Sequence, residues 1–191
     1  MSILCLHGYL QSGKITEKAI KRLLPKAQLI CPDGPFDVNS DEKSGYGWWP
    51  IADKLDLTEP PTKEQIEQCL EYGRKIFSEI NQPEIAIGFS QGASCVTLWI
   101  QEGIINPKKV ILLSNFAIKK YLNKVHPIFS LHIYGENDTL LSDCFPSKNL
   151  KDFEEYSLCP YYSKKTIYRH RWGHVIPSDG ATKTLIREFL M

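Results

Sequence analysis

Ser90, Asp138 and His174 are the residues of this chain whose types and order best suit nucleophilic chemistry. Ser90 lies in the sequence GFSQG over 88–92, which has the form G-x-S-x-G. A serine hydroxyl is a poor nucleophile at neutral pH, so it needs an imidazole to accept its proton and a carboxylate to orient that imidazole. Glycines beside the serine permit a sharp turn from a strand into a helix, which raises the hydroxyl above a sheet. On the pentapeptide alone, an ordinary strand-to-helix turn explains the pattern equally well.

Each of these residues lies in a loop that follows a predicted strand. The strands that precede them are predicted over 85–87, 129–134 and 166–169. Because the carboxyl ends of parallel strands meet at one edge of a sheet, the serine, the aspartate and the histidine are expected to come together there. Their order along the chain is that of a catalytic triad with Ser90 as nucleophile.

Other acidic and histidine residues compete for the two supporting positions. Glu136 and Asp143 are alternatives for the orienting acid, because Asp138 is also typical of a turn. His170 competes with His174, since it lies in or just after the last strand. The place of Asp138 after a strand, and of His174 between a glycine and an apolar stretch, favours these two residues.

The loop after the first strand is expected to complete the site. A tetrahedral acyl intermediate carries an oxyanion that needs two donors, and the backbone N–H groups of Tyr9 and Gln91 are predicted to supply them. Gly8 has no side chain, so the backbone of this loop can approach the serine closely. His7 is interpreted as a structural residue that shapes the loop rather than as a second base.

Alternating strands and helices are expected to position these residues. Further strands are predicted over 2–6, 27–31 and 110–113, and helices over 15–24, 62–80, 93–101 and 181–189. The second helix begins with a capping box from Thr62 to Gln65, and one or two short helices are predicted over 142–156. This alternation indicates a doubly wound, mostly parallel α/β sheet with helices on both faces. Residues 1–191 are expected to form a single domain.

Composition and charge exclude several classes of partner. The 191 residues are 42% hydrophobic and 24% charged with a formal net charge of +1, which gives no general attraction to nucleic acid or anionic membranes. The six cysteines have no zinc-ligand spacing and are expected to be reduced, so no metal site is predicted. The start of the chain lacks a basic leader, and no apolar run reaches the length of a membrane span. These features predict a cytoplasmic protein.

A long segment without helix or strand pattern, over 32–61, is expected to shape the substrate pocket. Loops of this length are usually functional or disordered, and the adjacent Trp48 and Trp49 argue against disorder. At least one indole is predicted to form a wall of the pocket, although capping the sheet is the commonest role of aromatic residues and stays open. The other side chains expected to line the pocket are Tyr9, Leu10, Phe116, Leu140 and Val175.

Six motifs occur in order along nearly the whole chain: LHGYLQSG at 6–13, PDGPF at 32–36, WW at 48–49, GFSQGA at 88–93, YGENDTLL at 134–141 and GHVIP at 173–177. With them the chain resembles the fungal and animal family of serine hydrolases in the α/β-hydrolase superfamily. The resemblance implies a six-stranded α/β-hydrolase fold that lacks the first two strands of the standard fold.

The same resemblance implies an activity: hydrolysis of carboxylic esters of small or acyl-chain substrates through an acyl-enzyme, without metal or cofactor. It implies that Ser90, Asp138 and His174 form the triad and that the amides of Tyr9 and Gln91 form the oxyanion hole. Cleavage of acyl thioesters by the same groups is an alternative. A binding protein that keeps the hydrolase fold without its activity is another.

One alternative comes from a different class of enzyme. Residues 8–14, GYLQSGK, follow a strand and precede a helix, which nearly matches the phosphate-binding pattern G-x-x-x-x-G-K-[ST]. The next residue is Ile15, which has no hydroxyl for a magnesium ion, and no predicted strand ends in a suitable aspartate. The pattern therefore argues against a nucleotide hydrolase.

Overall fold

A computed structural model describes residues 2–39, 43–51, 57, 59–145 and 156–191. Their main feature is a sheet of six parallel strands: β1 (Ser2–Leu6), β2 (Gln28–Ile30), β5 (Ile85–Phe89), β6 (Lys109–Leu113), β7 (His126–Gly135) and β8 (Tyr162–His170). The strand order across the sheet is β2-β1-β5-β6-β7-β8, and every neighbouring pair is parallel. This arrangement confirms the predicted doubly wound sheet.

Five α-helices accompany the sheet in the described residues: α1 (Gly13–Leu23), α2 (Lys63–Glu79), α3 (Gln91–Gln101), α4 (Thr139–Cys144) and α5 (Gly180–Leu190). A short 3₁₀ turn covers Cys159–Tyr161. The predicted capping box is present, because the Thr62 hydroxyl accepts from the Gln65 N–H while the Gln65 side chain accepts from the Thr62 N–H. Of the short helices predicted over 142–156, α4 covers the first residues, and 146–155 lie outside the described residues.

Successive side chains along each strand point to alternate faces of the sheet, and this divides the core into two layers. Leu4 and Leu6 of β1 pack in a layer with residues of α2 and α3, whereas Ile3 and Cys5 pack in a second layer with residues of α1 and α5. Successive side chains of a strand point to opposite faces, so an unbroken apolar strand fills both layers at once. The sheet is therefore covered by helices on both faces.

The segment predicted to be irregular contains an antiparallel hairpin, which corrects that expectation. Its strands are β3 (Phe36–Asn39) and β4 (Ser44–Gly47), and they pair with each other rather than with the main sheet. The sequences FDVN and SGYG are short and rich in polar residues and glycine, so they lack the apolar pattern that predicts a strand. The hairpin also contacts the loop after β1, where the Tyr46 N–H donates to the Gln11 carbonyl over 2.8 Å.

The sheet reverses its direction of growth between β1 and β5. Strand β2 lies on one side of β1, and β5 lies on the other, with β6, β7 and β8 following beyond it. The crevice at the carboxyl ends of two such strands is the place where open α/β sheets bind ligands. The loop after β1 and the turn after β5 therefore face each other across this crevice.

Two observations bear on the predicted absence of membrane spans and metal sites. None of the helices that the structure describes has the length and apolar character needed to cross a bilayer. Within the same residues, no group of three or more His, Cys, Asp or Glu side chains is placed to hold a metal ion.

The six cysteines are free thiols. The Sγ atoms of Cys69 on α2 and Cys95 on α3 lie 3.5 Å apart.

Candidate active site

Ser90 occupies the turn between β5 and α3 in a conformation that few non-glycine residues adopt. Its φ is 53° and its ψ is −121°. Its N–H donates to the Leu113 carbonyl at 2.9 Å, and its own carbonyl accepts from the Ala93 N–H at 3.0 Å. Strained residues of this kind persist only where their surroundings hold them, and they cluster at functional sites.

Close backbone contacts explain the glycines on both sides of this turn. A Cβ placed on Gly88 would lie 2.4 Å from the Ala93 Cα, and one placed on Gly92 would lie 2.3 Å from the Leu6 carbonyl oxygen. Any other residue at either position would force the helix away from the sheet. The turn therefore has the geometry expected of a nucleophile elbow.

Asp138 and His174 are joined by a direct hydrogen bond. The His174 Nδ1 lies 2.8 Å from the Asp138 Oδ2, and the side chains are 17% and 3% exposed. The second oxygen of the carboxylate, Oδ1, accepts from the Leu141 N–H at 3.1 Å and so caps α4. Because a carboxylate accepts, we assign a proton to the His174 Nδ1. This tautomer leaves Nε2 as the nitrogen that can take a proton from a hydroxyl.

The loops that carry the acid and the base are hydrogen-bonded to each other. The N–H groups of Glu136 and Asn137 donate to the carbonyls of His170 and Trp172, over 2.8 and 3.3 Å. At Gly135 the chains approach so closely that a Cβ would lie 2.4 Å from the Trp172 carbonyl oxygen. The Asp138–His174 pair is thus held by a backbone framework as well as by its own bond.

Ser90 and His174 open onto the same small cavity, which has a volume of about 120 Å³. The lining residues are Gly8, Tyr9, Leu10, Gln11, Ile51, Leu57, Phe89, Ser90, Leu140 and His174. No hydrogen bond joins Ser90 to His174 in the described part of the chain. Catalytic hydrogen bonds are often long before a substrate binds and tighten in the complex. The His174 ring packs against Phe89, with the ring centroids 5.0 Å apart.

The predicted oxyanion donors belong to the two loops at the reversal point of the sheet. Gln91 begins α3 directly after Ser90, and Tyr9 follows β1 on the opposite side of the crevice. Leu10 has a φ of 58°, and Gln11 holds this loop because its Oε1 accepts from the Gly8 N–H at 3.2 Å. The geometry places both loops against the cavity that Ser90 lines.

His7 is fully buried beneath this loop and acts through neutral hydrogen bonds. Its Nε2 accepts from the Gly34 N–H at 2.8 Å, so the proton lies on Nδ1, which donates to the Gly8 carbonyl at 2.7 Å. Burial lowers the pKa of His7, and the Gly8 carbonyl and the Asp33 carboxylate oppose the shift. The structure places His7 as a support of the loop, as the sequence predicts.

In the part of the chain that the structure describes, none of the competing residues is bonded to the side chains of Asp138 and His174. Glu136 and Asp143 are exposed, whereas the Asp138 carboxylate is buried. His170 is buried; its Nδ1 accepts from the Trp172 N–H at 3.3 Å, and burial lowers its pKa against the opposing effect of nearby carboxylates. Among the described carboxylates, Asp138 is the one bonded to His174.

The phosphate-loop alternative is disfavoured by the amides of residues 8–14. The Gly8 N–H is taken by the Gln11 side chain, and the Gly13 N–H donates to the Asp33 carboxylate at 2.7 Å. A phosphate-binding loop needs such amides to point at its ligand. Ile15, at the position of the missing hydroxyl, is exposed on α1.

The cavity includes two of the predicted pocket side chains beyond Tyr9, namely Leu10 and Leu140. Trp48 and Trp49 are not part of its wall, which corrects that expectation. They are 0% and 2% exposed and pack in the core layer that contains residues of α2 and α3, and hydrogen bonds hold the chain there. Phe116 is likewise buried in the core, and Val175 points to solvent with 45% of its surface exposed.

Several residues at the site were not predicted from the sequence. Ile51 and Leu57 line the cavity, and the side chains of Gln11 and Gln91 hold the two loops. The sequence signal for one of them is the amide side chain of Gln91, which begins a mainly apolar helix and is fully buried. A buried glutamine needs partners for both ends of its amide, and this requirement predicts a structural role.

Comparison with known proteins places these observations in a family. A family model described as "Serine hydrolase (FSH1)" matches residues 1–186. The protein named Esterase OVCA2 from Bos taurus is 27% identical over 226 residues, covering 100% of this chain and 95% of that protein. Its counterpart in Xenopus tropicalis is 28% identical over 222 residues, covering 100% and 92%.

Solved structures show the same fold at lower identity. YahD, solved with malic acid, has a TM-score of 0.75 and 18% identity, and the match covers 98% of this chain and 93% of that one. A carboxylesterase from Mesorhizobium loti has a TM-score of 0.70 and 17% identity, covering 99% and 87%. These likenesses confirm the predicted α/β-hydrolase fold.

Proposed function

The chain belongs to the FSH1 family of serine hydrolases, and on that premise we propose that it hydrolyses carboxylic esters of small or acyl-chain substrates. The proposed triad is Ser90, Asp138 and His174. The observation that carries the proposal is the 2.8 Å bond between Asp138 and His174 beside the cavity that Ser90 and His174 share. The relatives named as esterases support the same reaction class.

In the proposed mechanism, the Ser90 hydroxyl attacks the acyl carbonyl while the His174 Nε2 takes its proton. Asp138 steadies the imidazolium that forms, because its carboxylate already accepts from the Nδ1 proton. The imidazolium then gives the proton to the departing alcohol, which leaves an acyl-enzyme on Ser90. A water molecule attacks this acyl-enzyme with His174 again as base, and the acid product is released.

The tetrahedral intermediate of each step places a negative charge on the former carbonyl oxygen. We propose that the backbone N–H groups of Tyr9 and Gln91 donate to this oxygen. The argument for them is position, since Tyr9 lines the cavity, Gln91 directly follows Ser90, and neither donor depends on a charged side chain. Fixed donors of this kind contribute most where water is excluded.

The cavity wall indicates the class of acyl group. Apart from His174 and Ser90, its larger side chains are mainly apolar or aromatic, including Leu10, Leu140 and Phe89. We therefore propose an apolar acyl group rather than a charged one. An acyl thioester offers the same carbonyl to Ser90 and is the alternative substrate, so a series of matched oxygen esters and thioesters of increasing chain length distinguishes them.

The first test of the proposal is labelling by a fluorophosphonate probe, which reacts with activated serine hydroxyls. We expect the wild-type protein to be labelled and Ser90→Ala to remain unlabelled. Ser114→Ala is a matched control, because Ser114 is also buried with a positive φ of 44° at the carboxyl end of a strand. We expect Ser114→Ala to be labelled like the wild type.

Two results contradict the proposal in different ways. Labelling that persists in a folded Ser90→Ala variant removes Ser90 as the nucleophile. An unlabelled but folded wild-type protein supports the alternative of a hydrolase fold without activity.

We also propose that the protein acts in the cytoplasm. Cell fractionation that places it in a secreted fraction contradicts this location.

A further inference from the structure

The segment 48–51, which follows β4, lies against both loops that carry the proposed oxyanion donors. We call these four residues the brace: Trp48, Trp49, Pro50 and Ile51. Both indoles are buried, and of the four residues only Ile51 lines the Ser90 cavity. The two tryptophans therefore do not serve as a pocket wall, and their hydrogen bonds point to another role.

The brace is bound to the elbow through the side chain of Gln91. The Trp48 N–H donates to the Gln91 Oε1 at 2.9 Å, and the Gln91 Nε2 donates to the Trp49 carbonyl at 2.7 Å. Gln91 is 0% exposed, so water cannot replace either bond. Both ends of the amide are thus fixed by consecutive residues of the brace. The two bonds thus hold Gln91 in place, and its backbone N–H is a proposed oxyanion donor.

The same segment is bound to the loop after β1 at two points. The Trp48 Nε1 donates to the His7 carbonyl at 2.8 Å, and the Trp48 ring lies 5.0 Å from the His7 ring. The Tyr9 hydroxyl accepts from the Ile51 N–H at 3.3 Å and lies 3.4 Å from the Ile51 carbonyl. These bonds hold the loop at His7 and at Tyr9. The backbone N–H of Tyr9 is the other proposed donor.

Strand pairing alone does not connect the two donors. The ladder between β1 and β5 ends at Leu6 and Gly88, before either donor is reached. Beyond that pair, the brace supplies bonds to both loops from one short piece of chain. Because oxyanion donors act only when they are held at hydrogen-bond distance from the developing charge, a small displacement of either loop weakens catalysis.

From these contacts we infer that Trp48 and the side chain of Gln91 are positioning residues, which set the separation of the Tyr9 and Gln91 backbone N–H groups. The inference rests on the proposed ester hydrolysis. Neither side chain touches substrate in this arrangement; both act through the backbone that they hold. Loss of either bond loosens the oxyanion hole while the Asp138–His174 pair and the apolar cavity wall remain in place.

The test compares two tryptophan-to-phenylalanine substitutions. Trp48→Phe removes the N–H that holds the His7 carbonyl and keeps an aromatic ring. Trp99→Phe is the matched control, because Trp99 is also 0% exposed and its Nε1 donates to a backbone carbonyl, that of Cys69, at 3.3 Å. The two indoles pack edge to face at 5.4 Å, but Trp99 bonds to neither loop.

We expect Trp48→Phe to lower kcat for an activated acyl ester by about tenfold to a hundredfold, with KM changed by less than about threefold. We expect Trp99→Phe to keep kcat within about twofold, even if both variants lose similar thermal stability. The affinity for an alkyl boronic acid, which forms a tetrahedral anion on a serine hydroxyl, should fall in Trp48→Phe by a factor similar to that in kcat/KM.

A milder variant keeps the test informative if Trp48→Phe does not fold. Tyr9→Phe removes the hydroxyl that binds Ile51 from a half-buried side chain, and we expect a severalfold loss of kcat with little change in KM. Equal kcat losses in Trp48→Phe and Trp99→Phe, or a rise in KM alone, overturn the positioning role. If the folded wild-type protein is not labelled by fluorophosphonate, the proposed hydrolysis itself fails; a labelled wild type with unchanged Trp48→Phe kinetics overturns only the brace.

Discussion

At the scale of single residues, Asp138 combines two functions that belong to its two oxygens. One oxygen binds His174 and the other caps α4. The carboxylate that orients the proposed base is therefore itself fixed by a helix end. A residue with only the first function would have more freedom to rotate away from the imidazole.

The substitution Asp138→Asn separates these functions. An asparagine keeps an oxygen that can cap α4, but it cannot both cap the helix and stabilise an imidazolium on His174. We expect kcat to fall by about 10⁴-fold, which is the usual cost of losing the carboxylate of a triad. Steady-state hydrolysis of an acyl ester measures this change.

The matched control is Asp179→Asn. Asp179 also caps a helix, accepting from the N–H groups of Ala181 and Thr182 at the start of α5, and it has no bond to His174. We expect a change in kcat of less than about threefold and little loss of stability, because asparagine caps a helix about as well as aspartate does. Similar kcat losses in the two variants indicate that Asp138 serves only as a cap.

The residues of the proposed triad could be predicted because each has a reactive side chain that follows a strand. The supporting residues could not, since their roles come from contacts distant in sequence. Gln91 is bonded to residues 42 and 43 positions away, and its type alone does not identify those partners. The roles of Trp48 and Trp49 depend on similar long-range bonds, and their place in a long loop suggests a pocket wall to which neither of them belongs.

At the scale of elements, the loops after β7 and β8 function as one unit. Their mutual backbone bonds place Asp138 and His174 on a shared support rather than on two independent loops. The close approach at Gly135 is part of this support, because a side chain there would meet the carbonyl oxygens of Trp172 and Gly173 at 2.4 Å.

We expect Gly135→Ala to push the two loops apart, with a loss of stability of about 1–3 kcal/mol and at least a tenfold fall in kcat. Gly180→Ala is the control, because a Cβ on Gly180 meets no atom within 4 Å and the residue begins α5. Alanine there should leave kcat unchanged and stability equal or slightly higher. Kinetics and thermal melting of both variants check this, and unchanged kcat in a folded Gly135→Ala protein contradicts the role of the contact.

Strands that are buried on both faces are easier to predict from the sequence than exposed ones. Strands β1, β5 and β6 are buried on both faces and are recognised by unbroken apolar runs. Strand β8 begins four residues earlier than predicted, because it is an edge strand in which residues 163–166 are exposed and polar. The sequence does not predict the β3–β4 hairpin, because its stabilising contacts are with the loop after β1 rather than with an apolar core.

At the scale of the whole molecule, stability should depend on pH through a histidine that is not part of the proposed triad. His132 on β7 is fully buried, and burial with the nearby Lys165 lowers its pKa to about 3. Its Nε2 pairs with the Ser130 hydroxyl at 3.0 Å. The unfolded chain binds a proton at this histidine below about pH 6.5, whereas the folded chain stays neutral there, so stability is lost as pH falls from about 6.5 toward the folded value.

We expect His132→Gln to reduce this pH dependence. Below about pH 6, each such histidine contributes a slope approaching about 1.4 kcal/mol per pH unit to the free energy of unfolding. Urea unfolding at several pH values between about 6 and 4.5 measures the slope. Ile133→Val, at a neighbouring buried position, should lower stability without changing the slope. An unaltered slope in His132→Gln shows that this residue is not the source.

The pairing of Leu6 with Gly88 also limits how the two loops at the sheet reversal can vary in length. Tyr9 follows Leu6 by three residues, and Gln91 follows Gly88 by three residues. Both proposed donors therefore lie three residues beyond the same pair of residues in the sheet. Inserting one residue in either loop would move one donor N–H relative to the other. The two N–H groups could then no longer both reach the substrate oxygen between them. We therefore expect an insertion in either of these two loops to reduce activity more than an insertion in an exposed surface segment does.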